Sequence, residues 1–294
     1  MLNNRDRIGE TGINWQTAAL GIGKNRRKTI GFGLYDKKAR EYQDELYIRE
    51  LSIIDGGIGC ALWDAAIILT RFVFENRNEL FKDISVLELG AGVGLPGIMA
   101  ARFAQKCYLT DYIDTVNENL EYNVSLNCNY DTEEGEDISE NEKLRRSYKD
   151  RTKQSAQVLL LNWDDIKTSE NPQPDIPLKS IDIILGSELT YTGNENTINC
   201  LIEVILAYLS TNGVFIETLS DDRDGVPQFL EDSKQRGVTY RAVRVPDHFM
   251  GNFNTKQRPE TYKLYLFART QGIEQNERYQ QVCRVFDAYE QNNG

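Results

Sequence analysis

The fold is decided by the stretch Ser85-Val86-Leu87-Glu88-Leu89-Gly90-Ala91-Gly92-Val93-Gly94-Leu95-Pro96-Gly97-Ile98. Residues 86–89 have the character of a short buried strand. Pro96 suits the first turn of a helix, where a missing N–H costs nothing. Four glycines stand in this stretch, and each costs backbone entropy unless a left-handed conformation or a close approach requires it. The stretch therefore predicts a turn that presents backbone N–H groups to a ligand.

Two cofactors commonly use such a turn. Residues 92–97 fit the spacing G-x-G-x-x-G of dinucleotide sites. Residues 88–92 fit the E/D-x-G-x-G turn of S-adenosylmethionine enzymes. The turn by itself leaves both cofactors open.

Strands and helices alternate around the turn, which predicts parallel strands joined by right-handed crossovers. A very apolar helix is expected from Cys60 to Glu75, ahead of the turn. The later strands are expected at 106–111, 157–163, 180–185 and 213–219, followed by a closing pair at 239–245 and 262–269. The last strand follows a short loop, so it is expected to run antiparallel. The fold class is thus α/β, with a mostly parallel sheet.

Three regions are expected along the chain. Residues 1–50 form an arm and a β-hairpin, with strand character at 29–34 and 46–54. Residues 51–272 form the main domain. Within it, residues 129–155 are charged and poor in apolar side chains, which predicts a disordered insertion. Residues 273–294 form a C-terminal helix and tail.

Polar and aromatic residues fall at the predicted carboxyl ends of successive strands. Asp111 ends the second strand, Trp163 the third, and Glu188 follows the fourth. Ligands of open α/β sheets bind at those ends, so these residues are expected around one crevice. An indole face suits adenine stacking, and no residue pair typical of a hydride-transfer site is evident. These features favour S-adenosylmethionine over NAD.

A set of motifs between about residue 50 and about residue 270 carries a family resemblance. They are Trp63-Asp64-Ala65-Ala66, the 86–97 turn, Thr110-Asp111-Tyr112, Asn162-Trp163 and Gly186-Ser187-Glu188-Leu189-Thr190-Tyr191. In this combination the sequence resembles the family-sixteen class I protein lysine methyltransferases, which act on non-histone proteins. The resemblance implies a Rossmann-like, seven-stranded class I methyltransferase sheet with an antiparallel closing strand.

The resemblance also implies roles for individual residues. Glu188 is expected at the target lysine, with Tyr191 lining the site. S-adenosylmethionine is expected to be held by residues from all five motifs: Trp63, Glu88, Gly90, Gly92, Asp111, Trp163 and Ser187. The family usually has Asp where Glu188 stands, and its insertion is shorter than 129–155, so substrate choice does not transfer.

The composition of the chain restricts the kinds of partner and binding site that we expect. The net charge is −11, which argues against binding to nucleic acid through phosphate neutralisation. Five scattered cysteines and a single histidine predict neither a disulfide framework nor a metal site. No long apolar stretch or signal-peptide core is evident. We expect a monomer in the cytoplasm, with the nucleus as the alternative, that acts on a protein substrate.

Other functions share the same cofactor residues. A protein arginine methyltransferase and a small-molecule N-methyltransferase are the alternatives on this fold. A binding module that kept only the fold is the third class. The intact glycines, together with Asp111 and Glu188, favour an enzyme.

Overall fold

A computed structural model describes residues 11–17, 26–36, 41–128, 140–190, 193–250 and 261–292. The strands within these ranges are β1 (Thr11–Thr17), β2 (Arg26–Asp36), β3 (Glu41–Glu50), β4 (Ser85–Glu88), β5 (Lys106–Asp111), β6 (Ala156–Leu160), β7 (Ile181–Ser187), β8 (Leu209–Ser220), β9 (Val238–Arg244) and β10 (Tyr262–Arg269). The helices are α1 (Ile53–Gly56), α2 (Asp64–Glu75), α3 (Arg77–Leu80), α4 (Leu95–Ala101), α5 (Asp114–Leu126), α6 (Glu140–Ser155), α7 (Glu195–Tyr208), α8 (Val226–Gln235) and α9 (Glu277–Asn292).

The main sheet has seven strands in the order β6-β5-β4-β7-β8-β10-β9. The pairs from β6 to β8 are parallel, whereas β10 runs antiparallel to both β8 and β9. The predicted fold class is therefore confirmed. The chain leaves β4 towards β5 and β6, then returns to build the other half of the sheet from β7. A crevice consequently opens at the carboxyl ends of β4 and β7, where the strand order reverses.

Apolar layers cover both faces of the sheet. One layer is centred on α2, α4 and α9, with Phe72, Ile98 and Phe286 fully buried. The other is centred on α7 and α8, with Leu201 and Phe229 buried. Burial on both faces explains why apolar residues are consecutive at 86–87 in β4 and at 183–185 in β7 instead of alternating.

The N-terminal region forms an antiparallel sheet in the order β1-β2-β3. The predicted pairing of the two hairpin strands is confirmed, with Ile30 opposite Leu46. Two details were wrong. Residues 11–17 form a strand instead of an irregular arm, and β3 ends at Glu50, before a short helix that begins at Ile53.

This sheet joins the main core. Ile30 and Leu46 are fully buried in the same cluster as the apolar side chains of α2 and α4. Three asparagines hold the edge of β3 through its backbone: Asn119 and Asn123 in α5, and Asn127 directly after it. Asn123 accepts the Arg49 N–H at 2.7 Å and donates to the Arg49 carbonyl at 3.2 Å. Asn127 makes the same pair of bonds to Tyr47. The edge groups of β3 are thus satisfied by side chains.

The helix predicted from Cys60 begins later. Trp63 has extended backbone, and α2 starts at Asp64, although its end at Glu75 is as predicted. The third strand ends at Leu160, so Trp163 opens a 3₁₀ turn that follows the strand. The predicted C-terminal helix is present as α9, and its Val282 and Phe286 are fully buried.

The predicted disorder of 129–155 is wrong for its second half, where α6 spans Glu140–Ser155; residues 129–139 lie outside the described ranges. The helix docks through residues spaced along one face. The Tyr148 ring meets Phe103 edge-on at 5.2 Å between centroids, and the Ser155 hydroxyl donates to the Ala101 carbonyl at 2.5 Å. Arg151 bonds the Phe103 carbonyl at 2.9 Å. The average composition of residues 129–155 does not reveal these few, widely spaced contact residues.

Tyr148→Ala should lower the free energy of unfolding by about 1–3 kcal/mol, because it removes an aromatic pair and opens a gap beside Phe103. Urea unfolding measures the difference. Ser147→Ala, an exposed position of the same helix, is the matched control and should change stability by less than about 0.5 kcal/mol. Equal stability of the two variants would show that α6 does not pack on the domain.

Candidate active site at the carboxyl ends of β4, β5 and β7

The glycine turn adopts the backbone that its composition predicted. Gly90, Gly92 and Gly94 have φ of 56°, 56° and 80°, in the left-handed region that favours glycine. A Cβ on Gly92 would lie 2.8 Å from the Gly59 carbonyl oxygen, and one on Gly90 would lie 2.8 Å from the Leu189 side chain. The turn is therefore a smooth backbone cradle, enclosed by the segments that follow α1 and β7.

Glu88 lies underneath this cradle. Its Oε2 accepts the Gly97 N–H at 2.9 Å, and only 1% of the residue is exposed. Burial raises the pKa of Glu88 to about 8; the Gly97 N–H acts against this shift, and the charge of Asp111 adds to it. Glu88 was expected to contact the cofactor. The structure places one oxygen of its carboxylate at the start of α4, where it holds the turn in shape, and a contact with the cofactor stays a prediction.

Asp111 ends β5 and meets the turn from the side. Its Oδ2 accepts the Gly92 N–H at 3.1 Å, and its Oδ1 accepts the Tyr112 N–H at 2.8 Å. Burial raises the pKa of this carboxyl, and the backbone N–H bonds oppose the rise. Oδ1 also accepts the Ile113 N–H at 3.4 Å, so Oδ2 is the oxygen that keeps a second lone pair. A carboxylate placed at the edge of a glycine cradle suits a ligand that offers hydroxyl groups.

The two predicted tryptophans lie on different sides of the turn. The Trp163 ring comes within 3.7 Å of the position that a Cβ on Gly90 would occupy. Trp63 is 42% exposed and donates its Nε1–H to the Ile58 carbonyl at 3.2 Å. It thus borders the segment whose Gly59 carbonyl abuts the turn. The structure therefore brings Trp163 directly to the cradle, while Trp63 stands at its outer rim.

Ser187 and Glu188 end β7 beside the cradle. Glu188 has a φ of 57°, which is unusual for a residue with a side chain, and such strain costs about 1–3 kcal/mol. Its carboxylate is 8% exposed, and Oε1 accepts the Ser220 N–H at 2.8 Å. Its Oε2 forms an ion pair with Arg223. Tyr191 lies outside the described residues, so its role stays a prediction.

Glu217 and Arg223 complete the surroundings of Glu188. Glu217 is fully buried in β8, and its Oε1 accepts the Leu189 N–H at 3.1 Å. Burial raises the pKa of Glu217 well above its ordinary value. Glu217 is not among the residues predicted from sequence, although an acid inside the mostly apolar run 214–219 is a visible signal. Arg223 lies in a charged turn, and the sequence alone does not show whether its side chain contacts a site residue or only solvent.

Comparison with known proteins decides the family. The model of the family described as lysine methyltransferase matches residues 41–236, which is two thirds of the chain. The chain belongs to this lysine methyltransferase family. The matched range begins in β3 and ends just after α8, so it includes both the glycine turn and the end of β7.

Three relatives of the chain are also named as methyltransferases. The chain is 31% identical over 173 residues to histone-arginine methyltransferase METTL23 of Xenopus laevis, covering 58% of this chain and 62% of that protein. It is 25% identical to EEF1A lysine methyltransferase 3 of Xenopus tropicalis, covering 74% and 77%. It is 30% identical to protein N-lysine methyltransferase METTL21A of Xenopus tropicalis, covering 54% and 60%. Two of these matches therefore span less than two thirds of the relative.

Membership of a methyltransferase family selects S-adenosylmethionine between the two cofactors that the turn left open, which confirms the prediction. The residues present fit it. Left-handed glycines leave room for a close approach to backbone, Asp111 offers carboxylate acceptors, and Trp163 offers an aromatic face. When bound, this cofactor supplies an electrophilic methyl group on a sulfonium centre. The assignment of individual contacts stays a prediction.

Asp111→Asn should raise the dissociation constant for S-adenosylmethionine at least about tenfold, because hydroxyl groups lose a charged acceptor worth about 1.5–3 kcal/mol per bond. Isothermal titration calorimetry measures the affinity. Asp114→Asn, an exposed acid at the start of α5, is the matched control and should bind like the wild type. Unchanged affinity in Asp111→Asn would remove this carboxylate from the cofactor site.

Glu88→Gln should make stability less dependent on pH. The pKa of Glu88 is raised from 4.5 to about 8. Between these values the folded protein holds a proton that the unfolded chain has released, so this residue's contribution to stability falls as pH rises. Gln keeps an acceptor for the Gly97 N–H but does not titrate.

Urea unfolding at pH 5 and pH 8 tests this expectation. The loss of stability between the two pH values should be smaller in Glu88→Gln than in the wild type. Glu118→Gln changes an exposed glutamate on α5 and should follow the wild type. The same loss in all three proteins would mean that Glu88 does not titrate in this range.

Proposed function

We propose that this protein transfers a methyl group from S-adenosylmethionine to the side-chain amine of a lysine in a protein. The observation that carries the proposal is the Glu188 carboxylate. It stands at the carboxyl end of β7, next to the glycine cradle, in a chain of the lysine methyltransferase family. The neighbouring Leu189 side chain lies against Gly90 of the cradle. An acid at that place suits an amine brought in beside the cofactor.

In the reaction, the lone pair of a neutral lysine amine forms a bond to the methyl carbon. The carbon–sulfur bond breaks, and its electron pair stays on sulfur, leaving a thioether. The methylated nitrogen then releases its extra proton to water. In this proposal Glu188 accepts an N–H of the amine and aligns it with the methyl group. Positioning and exclusion of water supply most of the acceleration.

The substrate is proposed to be a protein and not a nucleic acid. The net charge of −11 disfavours contact with phosphates and favours a basic partner. Within the described residues, no helix is both long enough and apolar enough to cross a membrane. We further propose that the protein acts as a monomer in the cytoplasm.

Arginine is the second candidate target, because one relative is named a histone-arginine methyltransferase. The distinguishing experiment incubates the protein with methyl-labelled S-adenosylmethionine and a heat-treated basic protein extract. Acid hydrolysis then identifies the labelled residue. Label in methyl-lysine supports the proposal. Label in methyl-arginine, or in small molecules only, replaces the lysine target with that one.

Glu188→Gln should lower the methylation rate by about 10²-fold or more, because the amine loses a charged acceptor and one of the two acceptor oxygens becomes an NH2 donor. Its affinity for S-adenosylmethionine should stay close to that of the wild type, since the variant alters only interactions on the methyl side. Asp222→Asn, an exposed acid nearby, is the matched control and should retain activity. A fully active Glu188→Gln variant would exclude this carboxylate from the reaction. Loss of cofactor binding would instead make it part of the cofactor site.

A further inference from the structure

Both oxygens of the Glu188 carboxylate are engaged by its own chain. Oε1 accepts the Ser220 N–H at 2.8 Å, and Oε2 is paired with the Arg223 guanidinium. A carboxylate oxygen has two lone pairs, so each oxygen can accept one further bond. Glu188 can therefore receive an amine N–H without giving up Arg223.

Arg223 is held in place by the turn that carries it. The turn is tied to β10 through Asp221, whose N–H donates to the Thr261 carbonyl at 3.0 Å. The Asp221 carboxylate also accepts the Tyr265 hydroxyl at 2.6 Å and pairs with Lys263 at 2.6 Å. These bonds fix the backbone beside Arg223. The ion pair between Arg223 and Glu188 is thus supported by a backbone that the fold holds in place.

The charges around the acid matter because the nucleophile must be a neutral amine. A free lysine has a pKa near ~10.4, so at neutral pH it arrives as an ammonium ion. A buried carboxylate with no counter-charge would stabilise that ion and suppress the reaction. A guanidinium cannot lose its proton in a protein, so Arg223 provides a permanent positive charge.

We propose that Arg223 is a positioning residue which balances the charge of Glu188, so that the site accepts the target lysine as a neutral amine. The inference rests on the proposed function. With its charge balanced, Glu188 orients the amine through a hydrogen bond while the nearby guanidinium disfavours the ammonium form. Arg223 thereby allows Glu188 to align the amine through a hydrogen bond without also stabilising the ammonium form, as an unpaired carboxylate would.

The other titratable groups that face Glu188 agree with this balance. Glu217 of β8 interacts with Glu188, and burial raises its pKa well above its ordinary value, which favours its uncharged form. Tyr262 of β10 interacts with Glu188 and with Asp64 of α2, and burial raises its pKa, so the phenol is neutral. Asp64 is in turn opposed by Arg71. Arg223 is the positive charge that touches Glu188 itself.

The same balance favours lysine over arginine as the target. An arginine side chain stays cationic at the pH values at which proteins function, so its binding site needs a net negative charge. Here a guanidinium of the chain itself already pairs with the acid. An incoming arginine would meet like charge, whereas a lysine can shed its proton on entry.

The test measures the rate of methyl-lysine formation from pH 6 to pH 10 at saturating S-adenosylmethionine and saturating basic protein extract. At saturation the profile reports the pKa of groups in the complex. In Arg223→Gln the midpoint of the rise with pH should move up by about one unit or more. At pH 7 this shift corresponds to a roughly tenfold slower reaction.

Three further variants sharpen the test. Arg223→Lys keeps a positive charge, so its midpoint should stay near that of the wild type. Arg223→Met removes the charge with a different side chain, should shift like Arg223→Gln, and replaces it if that variant does not fold. Arg244→Gln removes one charge from an exposed ion pair with Asp247 and should leave the midpoint unchanged.

Each outcome decides one statement. An uncharged variant that is slower by the same factor at every pH would make Arg223 a structural residue and overturn the inference. A faster reaction with a lower KM would make Arg223 a plug that competes with the target, which also overturns it. A wild type that forms no methyl-lysine would overturn the proposed function, and with it this inference.

Discussion

A buried hydrogen bond, from the Gly97 N–H to the Glu88 carboxylate, underlies the whole site. It ties the last residue of β4 to the first turn of α4, across a loop in which three glycines have left-handed backbone. Because the loop carries no Cβ at these points, neighbouring segments approach it closely. Asp111 binds one of its N–H groups, and Trp163 and Leu189 flank Gly90. The cradle therefore sets the position of every other part of the crevice.

Burying so many acids in one crevice is costly unless each finds partners. Glu88, Asp111 and Glu217 accept backbone N–H groups, which offset part of the cost of desolvation. Glu188 accepts one as well, yet it is also paired with a charged side chain. This difference in partners gives the acids different electrostatic character. Glu188 is held by a guanidinium as well as by a backbone N–H, whereas burial raises the pKa of Glu217, which supports the backbone at Leu189.

The peripheral elements attach to the core by a few specific contacts. Asn123 in α5 and Asn127 directly after it bond to the backbone of β3, as a neighbouring strand would. Helix α6 docks through Tyr148 and Ser155. Neither attachment needs a long apolar face. Such elements have compositions typical of solvated segments, and their order depends on the surface that they meet. The charged helix α6 is the clearest case.

The sequence by itself determined the alternation of strands and helices, the glycine turn and the family. These features are local, because apolar runs, glycine spacing and short motifs depend on backbone geometry within a few residues. It also placed Asp111, Trp163 and Glu188 at the edge of one crevice, since the carboxyl ends of parallel strands lie together. Only the tertiary structure decided that Glu88 faces inward, that Arg223 pairs with Glu188 and that α6 is ordered. Those outcomes depend on contacts between residues distant in sequence, which no local pattern encodes.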